Sequence, residues 1–351
     1  MTAAMALPSL HGGTMRERPM QLVCPAGNLP ALQAAIDAGA DAVYAGFRDQ
    51  TNARAFPGLN FDEDELRRGI GYAHARGRKV YLALNTYPDS ARLAHWHAAV
   101  DHAAELGADA IIAAEMAVLD HAARRHPALA RHLSVQGSAT SAAALRHAHE
   151  RFGISRAVLP RVLSIQQVER LCASAPVPLE VFAFGSLCIM VEGRCQLSSY
   201  VTGVSPNRHG VCSPARFVRW QEHADHSRTV RLNGMLVDRF ADGEPAGYPT
   251  VCKGRYDVSG EVFHALEEPT SLNTLELLPR LAAAGVAALK IEGRQRGVAY
   301  VKAVTKTWRA ALDHHRAAAE RWQVSADWQQ ALSAHAEGQQ TTLGPYHRAW
   351  H

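Results

Sequence analysis

Long hydrophobic runs and a large excess of charge of either sign are both missing from this sequence. No apolar stretch approaches the roughly 20 residues that span a bilayer, and residues 1–20 lack the continuous apolar core of a signal peptide. Lys plus Arg exceed Asp plus Glu by only 37 to 33, a net charge of +4 over 351 residues, which is too small to indicate a nucleic-acid or membrane-surface partner. We therefore expect a cytoplasmic protein that has no nucleic-acid partner and is not an integral membrane protein, with residues 1–20 as a flexible leader.

The motifs of common hydrolases are absent as well. His149-Glu150 lacks the second histidine of an H-E-x-x-H zinc peptidase, and the chain has neither a G-x-S-x-G nucleophile elbow nor a G-x-x-x-x-G-K phosphate-binding loop. The 19 histidines are scattered rather than paired, so most of them should lie at the surface. These absences weigh against a peptidase.

Cysteine is scarce, yet four of the six cysteines fall in one region, and they are Cys188, Cys195, Cys212 and Cys252. In a reducing cytosol, clustered cysteines are more often metal ligands or catalytic thiols than disulfides. Structural zinc sites usually take ligands in tight pairs, whereas gaps of six, sixteen and thirty-nine residues separate these cysteines. The wide spacing therefore favours an iron–sulfur cluster, with zinc and inert buried thiols as the alternatives.

Glycines and basic residues beside these cysteines suit such a cluster. Gly185 and Gly193 would let the backbone approach a bulky group and donate amide hydrogen bonds to its sulfurs. Positive charge nearby would come from Arg194, Lys253 and Arg255.

The two remaining cysteines are interpreted differently. Cys172 lies on the apolar side of a predicted helix, where a small core residue is expected. Cys24 ends the first predicted strand and is a candidate redox thiol. Neither is needed for a site with four thiolates.

Short apolar segments alternate with segments of helical periodicity along most of the chain. A phrase centred on Gly-Ala-Asp-Ala opens strands at 38–43 and 107–113, and a similar phrase recurs at 285–291. Eight predicted strands alternate with helices, which indicates an α/β fold of the TIM type, a parallel (β/α)8 barrel. Such a barrel needs roughly 250 residues, so about 100 are left for additions.

On this basis we predict that the chain has three parts besides the leader: the barrel itself, an insertion in it and a C-terminal extension. The barrel takes 21–296 and includes a cluster-binding insertion at 185–260 after the seventh strand. A helix over 272–284 should precede the eighth strand. A C-terminal helix and tail take 297–351, and the tail is assigned no chemistry.

Barrels of this class build their active sites from loops at the carboxyl ends of the strands, and the cysteine region begins where the seventh strand ends. Four charged residues near strand ends are weaker candidates for binding an anionic oxygen donor: Arg161, Lys290, Glu292 and Arg294. Polar residues that could share this mouth, or simply solvate loop ends, are Asn85, Ser138, Thr140 and Arg296.

A specific pattern covers the start of the cysteine region. E-V-F-A-F-G-S-L-C from Glu180 is followed after four residues by G-R-C-Q-L-S from Gly193, and together they resemble the full signature of the collagenase-like peptidase family. Within that family, the chain from about residue 21 onward is similar to the members that act in ubiquinone biosynthesis. The segments that carry this similarity are C-P-A-G-N-L-P-A-L from Cys24, T-N-A-R from Thr51, V-L-P-R-V-L-S-I from Val158, C-S-P-A-R-F-V-R-W from Cys212, Y-P-T-V-C-K-G-R-Y from Tyr248 and H-A-L-E-E-P-T-S-L-N-T-L-E-L-L-P from His264.

The resemblance implies a [4Fe-4S] cluster held by Cys188, Cys195, Cys212 and Cys252. It also implies a heterodimer with a UbiV-like protein and an oxygen-independent, anaerobic hydroxylation of the aromatic ring of a prenylated quinone precursor. Prephenate is the implied source of the hydroxyl oxygen, and a lipid-carrier protein is a further candidate partner. Three alternatives remain: an iron–sulfur-dependent RNA nucleobase hydroxylase, a peptidase, and a non-catalytic scaffold with a structural cluster.

Overall fold

The computed structural model describes residues 19–188, 190 and 194–347. The expected leader therefore lies outside the described residues up to residue 18, and Gly193 lies outside them too. No helix in the described part of the chain is both long enough and apolar enough to cross a bilayer.

Strands and helices alternate regularly from residue 21 to residue 186. The strands are β1 (Gln21–Pro25), β2 (Ala42–Ala45), β3 (Lys79–Leu84), β4 (Ala110–Ala113), β5 (Ala130–Leu133), β6 (Arg156–Val158) and β7 (Leu179–Ser186). The helices between them are α1 (Leu29–Asp37), α2 (Glu63–His74), α3 (Leu93–Glu105), α4 (Met116–Arg125), α5 (Ala142–Phe152) and α6 (Ile165–Ser174). Each strand pairs in parallel with the next, as βα units require.

The recurring Ala-Asp-Ala phrase has a structural role at the amino-terminal ends of the strands. Asp41, just before β2, accepts a hydrogen bond from the backbone N–H of Leu22 at 2.8 Å. Asp109, just before β4, accepts one from the N–H of Val80 at 2.8 Å. In both cases the aspartate ties its own strand to the preceding one, which explains why the phrase is repeated.

The chain between β7 and the last barrel strand forms small elements of its own. They are α7 (Gln196–Thr202), α8 (Pro206–His209), β8 (Val218–Glu222), β9 (Arg228–Leu232), β10 (Met235–Phe240), β11 (Tyr256–Val258), β12 (Glu261–Phe263), β13 (Ser271–Asn273) and α9 (Leu278–Ala283). Strands β8, β9 and β10 make an antiparallel sheet, and β11 and β12 make a hairpin. Buried side chains of this sheet and its surroundings form a separate small core: Val230, Leu232, Val237 and Val251.

The predicted helix over 272–284 is wrong in its first half. Ser271–Asn273 is strand β13, which pairs antiparallel with the end of β7, and the helix begins only at Leu278. Leucines at 272, 275, 278 and 281 mimic a helical period, but Pro279 lies in the first turn of α9, where its missing N–H costs nothing. The proline therefore marks the start of the helix.

The eighth barrel strand is β14 (Ala288–Ile291), and it pairs in parallel with both β1 and β7. These pairings close an eight-stranded parallel barrel and confirm the predicted fold. After β14 come α10 (Val298–Ala317), which packs against α1, then α11 (Ala326–Ser333) and the short strand β15 (Thr341–Thr342) beside β13. The division into barrel, insertion and tail stays a prediction.

Charged residues occupy the interior of the barrel. Glu180 of β7 is buried and accepts hydrogen bonds from Lys290 at 2.8 Å and from Arg156 at 3.2 Å. Burial alone would raise the pKa of Glu180, but the charges of Lys290 and Arg156 outweigh this effect and lower it to about 2. Glu180 is therefore ionised at physiological pH and compensates charges that would otherwise be buried without a partner.

We predict that Glu180→Gln lowers the free energy of unfolding by about 3–5 kcal/mol, because it leaves the buried ammonium of Lys290 uncompensated. Urea denaturation measures this loss. The double variant Glu180→Gln/Lys290→Met is the control and should recover part of it; a double variant less stable than the single one would contradict the prediction. Since the pKa of Glu180 is lowered on folding, its contribution should be complete above the unfolded value of 4.5 and disappear as the pH falls toward 2.

Candidate functional site at the barrel mouth

A cavity of about 960 Å³ opens at the carboxyl ends of the barrel strands. All eight residues that the sequence singled out as site candidates line it: Arg161, Cys188, Cys195, Cys212, Cys252, Lys290, Glu292 and Arg294. The cavity lies where barrel enzymes place their active sites, so the barrel mouth is the candidate functional site.

Each of the four cysteines comes from a different local structure. Cys188 follows β7, Cys195 is the N-cap residue of α7, Cys212 lies between α8 and β8, and Cys252 lies in a 3-10 turn. The hydroxyl of Ser198 donates to the carbonyl of Cys212, which ties α7 to the segment that carries the third thiol. Local hydrogen bonds thus bring together cysteines that are far apart in sequence.

The thiols lie in a largely buried, shared environment. Burial raises the pKa of Cys212 to about 12, and it raises the pKa values of Cys195 and Cys252 as well. The three other thiols, if ionised, would raise the pKa of Cys212 further, whereas the guanidinium of Arg54 lowers it. Thiols of this kind become thiolates when a metal replaces their protons.

The four cysteines supply a set of thiol donors for a metal group. Ligand sulfurs of a tetrahedral zinc site lie about 3.8 Å apart, given a Zn–S distance of about 2.3 Å. Within the described part of the chain, no three of the cysteine sulfurs lie within 4.8 Å of one another. Four thiol donors are the number that both zinc and iron–sulfur clusters use.

Arg54 is the residue at this site that sequence reasoning missed. Its guanidinium lies 3.2 Å from the carboxylate of Glu292 and interacts with Cys212. The side chain of Asn85 accepts a hydrogen bond from the backbone of Ala53 at 2.9 Å and so holds the loop that carries Arg54. In the sequence, Arg54 stood out only as part of the T-N-A-R segment. Its position in a polar loop did not predict a functional role.

The charged candidates at the strand ends are all engaged by neighbours. Arg294 donates to Asn52 at 2.9 Å and is buried, and Arg161 lies over the ring of Phe182 at 4.2 Å. Lys290 is held by its ion pair with Glu180. These side chains give the cavity a positive wall that is already fixed in place by neighbouring residues.

Two of the four polar residues expected at the mouth do not line the cavity. Asn85 and Arg296 line it, whereas Ser138 and Thr140 do not, and residues 134–136 line it instead. The chain leaves β5 in a 3-10 turn that ends at Ser138 with a left-handed φ of 51°. This turn carries the following residues away from the mouth.

Two of the three basic residues expected near the cysteines have carboxylate partners, whereas Arg194 donates to the carbonyl of Gln136 at 3.4 Å. Lys253 forms an ion pair with Glu337, and Arg255 pairs with Asp238 at 2.7 Å. Glu337 belongs to the C-terminal tail, and residues 336–339 line the cavity. The tail, to which the sequence assigns no chemistry, therefore forms part of the wall of the cavity. Its polar sequence has no periodicity that could have revealed this contact.

Cys24 and Cys172 lie away from the cavity. Cys24 is fully buried, accepts a hydrogen bond from the hydroxyl of Thr305 at 3.2 Å, and has a pKa raised to about 12 by burial. A thiol in this environment is inert, so the interpretation of Cys24 as a redox thiol is wrong. Cys172 is half-buried and packs against the main core, as predicted.

Gly185 brings the ends of β7 and β14 together. Its φ is 130°, and a Cβ built on it would lie 2.5 Å from the Cβ of Glu292. A side chain at this position would push β14, and with it the Glu292–Arg54 pair, away from β7. The glycine is required by the close approach of β7 to Glu292, whereas the sequence suggested an approach of the backbone to a cluster.

The fold and the site define the class: an α/β barrel whose mouth is lined by four cysteines. Residues 27–348 match Peptidase family U32, and the chain belongs to this family. It is 30% identical over 318 residues to the tRNA hydroxylation protein P of Escherichia coli (strain K12), covering 84% of this chain and 68% of that protein. It is 26% identical to the tRNA hydroxylation protein P1 of Bacillus subtilis (strain 168), with coverage of 92% and 70%. It is also 26% identical to the 23S rRNA 5-hydroxycytidine C2501 synthase of Escherichia coli (strain K12), with coverage of 86% and 40%.

We predict that Gly185→Ala destabilises the protein more than Gly77→Ala does. Both glycines have positive φ, but nothing lies within 4 Å of a Cβ at Gly77, so that variant should lose only about 1–2 kcal/mol. The contact with Glu292 should add about 1–3 kcal/mol to the loss at Gly185. Equal losses in urea denaturation would show that the β7–β14 contact relaxes freely.

Proposed function

We propose that this protein is the UbiU-like subunit of an oxygen-independent hydroxylase that acts on the aromatic ring of ubiquinone precursors. The observation that carries the proposal is a single cavity lined both by four cysteines and by aromatic side chains. The aromatic side chains are Tyr44, Phe56, Phe182, Phe240 and Tyr248. Such walls suit a substrate ring held beside a metal group.

The cofactor in this proposal is a [4Fe-4S] cluster held by Cys188, Cys195, Cys212 and Cys252. When bound, it would supply electron transfer or substrate activation. The chain itself contributes the buried walls that exclude water and the cations that surround the thiolates. Arg54 interacts with Cys212 and Lys253 with Cys252.

A UbiV-like protein as heterodimer partner and prephenate as oxygen donor belong to the same proposal. Prephenate is anionic, and the positive wall formed by Arg161, Lys290 and Arg294 supports an anionic co-substrate. A lipid-carrier protein could deliver the hydrophobic quinone precursor.

The geometry gives little support to a peptidase. Lys253 lies 3.2 Å from the hydroxyl of Ser186, a contact that a serine–lysine hydrolase would use. However, Lys253 also forms the ion pair with Glu337, and an ammonium held by a carboxylate is not the free base that activates a nucleophile.

We predict that alanine at any of Cys188, Cys195, Cys212 or Cys252 removes most of the bound iron and the visible absorption of protein purified without oxygen. Losing one of four ligands leaves an open position from which the cluster is lost. Cys172→Ala is the matched control, because Cys172 lies away from the cavity, and it should keep about four irons per chain. Colourless wild-type protein with stoichiometric zinc would contradict the cluster.

A second candidate function is hydroxylation of an RNA nucleobase, which the names of the relatives favour. One surface feature also supports it: Arg219 of β8 and Arg231 of β9 are directly opposite each other and exposed. Like charges in this arrangement destabilise a sheet unless an anion lies across them, and a nucleic-acid backbone is such an anion.

A deletion strain distinguishes the two functions. We predict that anaerobic cells lose ubiquinone and accumulate precursors that lack ring hydroxyls, while RNA nucleosides stay unchanged, because the cavity is assigned to the quinone ring. Mass spectrometry of quinones and of digested RNA from the same cultures measures both. Complementation with wild type and with Cys212→Ala is the control. Normal quinone with a missing hydroxylated nucleoside would establish the second candidate instead.

A further inference from the structure

A cluster of three histidines and one aspartate lies on the outer helices of the barrel, away from the mouth. His97 and Asp101 lie one turn apart on α3, His121 lies on α4, and His126 directly follows α4. None of these four residues lines the cavity at the mouth. The cluster is therefore separate from the candidate functional site, and any role it has is independent of the proposed function.

The ligand atoms of this cluster converge on one point. The Oδ1 atom of Asp101 lies 2.8 Å from Nε2 of His121 and 2.7 Å from Nε2 of His126. One donor atom from each of these three residues lies within 4.8 Å of the other two. Two imidazoles and a carboxylate that converge in this way form a common set of ligands for zinc and related divalent ions.

His97 packs against this cluster. Its ring stacks on that of His121, with ring centroids 4.1 Å apart and an angle of 6° between the planes. Its Nε2 is buried and has no hydrogen-bond partner among the described residues. The ring of His97 therefore packs on the cluster, but neither of its nitrogens belongs to the group of ligand atoms that lie within 4.8 Å of one another.

The surroundings hold the cluster in place and leave it accessible. Arg131 donates hydrogen bonds to the carbonyls of His126, at 3.3 Å, and of Leu129, at 2.8 Å, which fixes the turn after α4. The side chain of Asp101 is 37% exposed and that of His121 is 17% exposed, so an ion could enter from solvent. Ligand atoms of a tetrahedral zinc lie about 3.3 Å apart, which requires the Asp101 contacts to open by only about half an ångström.

We propose that Asp101, His121 and His126 form a site for a divalent cation of the zinc class that links α3 to α4. The bound ion replaces the two hydrogen bonds to Asp101 with coordination bonds. Because the ligands come from two helices and the turn after one of them, binding should hold this side of the barrel together.

The test measures zinc bound by full-length protein purified without oxygen, for wild type and for the double variant His121→Gln/His126→Gln. Elemental analysis after desalting should find one more zinc per chain in the wild type. X-ray absorption should show that this additional zinc has nitrogen and oxygen ligands and no sulfur, which distinguishes it from any zinc at the cysteines. Zinc titration should raise the melting temperature of the wild type and not that of the double variant.

Two further variants test the role of the ligand charge and the specificity of the zinc response. Asp101→Asn should weaken zinc binding at least about tenfold, since it removes the ligand charge while preserving the shape. His74→Gln is the matched control, because His74 contacts a single carboxylate, that of Asp109, at 2.9 Å, and it should bind zinc like the wild type. Equal zinc content and equal thermal response in wild type and double variant would overturn the proposal and leave the cluster as a hydrogen-bonded clamp.

Discussion

The parallel contact between β14 and β7 is the constraint on which the rest of the structure depends. It closes the barrel, and it continues past the register shift at Ile291 to the hydrogen bond from the N–H of Glu292 to the carbonyl of Phe184, at 2.8 Å. Beyond that point Gly185 leaves room for Glu292, and β13 takes over the pairing along β7. After β7 the chain therefore continues at the mouth of the barrel, and Cys188 lies two residues beyond the end of β7.

Charge inside the barrel connects this framework to the cavity above it. Glu180 compensates one of the two cations next to it, Lys290 and Arg156, and burial lowers the pKa of neighbouring His132 to about 3, so this imidazole is neutral at physiological pH. Cations therefore outnumber carboxylates under the cavity, and Arg294 adds another in the wall. A positive environment of this kind favours thiolates and anionic ligands, and it costs stability that the interior ion pairs recover in part.

The barrel was predictable from the sequence because its signals are local and repeated. Each aspartate of the Ala-Asp-Ala phrase bonds the strand that follows it to the preceding strand, so the repeat indicates the order of the strands. The location of the four cysteines at one mouth also followed, from their position after the seventh strand. What could not be predicted depends on contacts between distant segments: Arg54 reaches Glu292 from 238 residues away, and Glu337 reaches Lys253 from 84 residues away. Strand β13 was predicted as part of a helix because leucines recur there at helical spacing.

The separation of the thiols from the strands has a physical consequence. Four charged residues of the site lie on or next to barrel strands, whose positions are set by the main core: Arg161, Lys290, Glu292 and Arg294. The cysteines Cys195, Cys212 and Cys252 instead belong to the segment after β7, which has only a small core of its own around Val230 and Val251. Free energy of metal binding is free energy of folding when the ligands are brought together only in the folded state. A metal held by these thiolates would therefore stabilise this segment far more than the barrel, and through Lys253 and Glu337 it would also order the tail that covers the cavity.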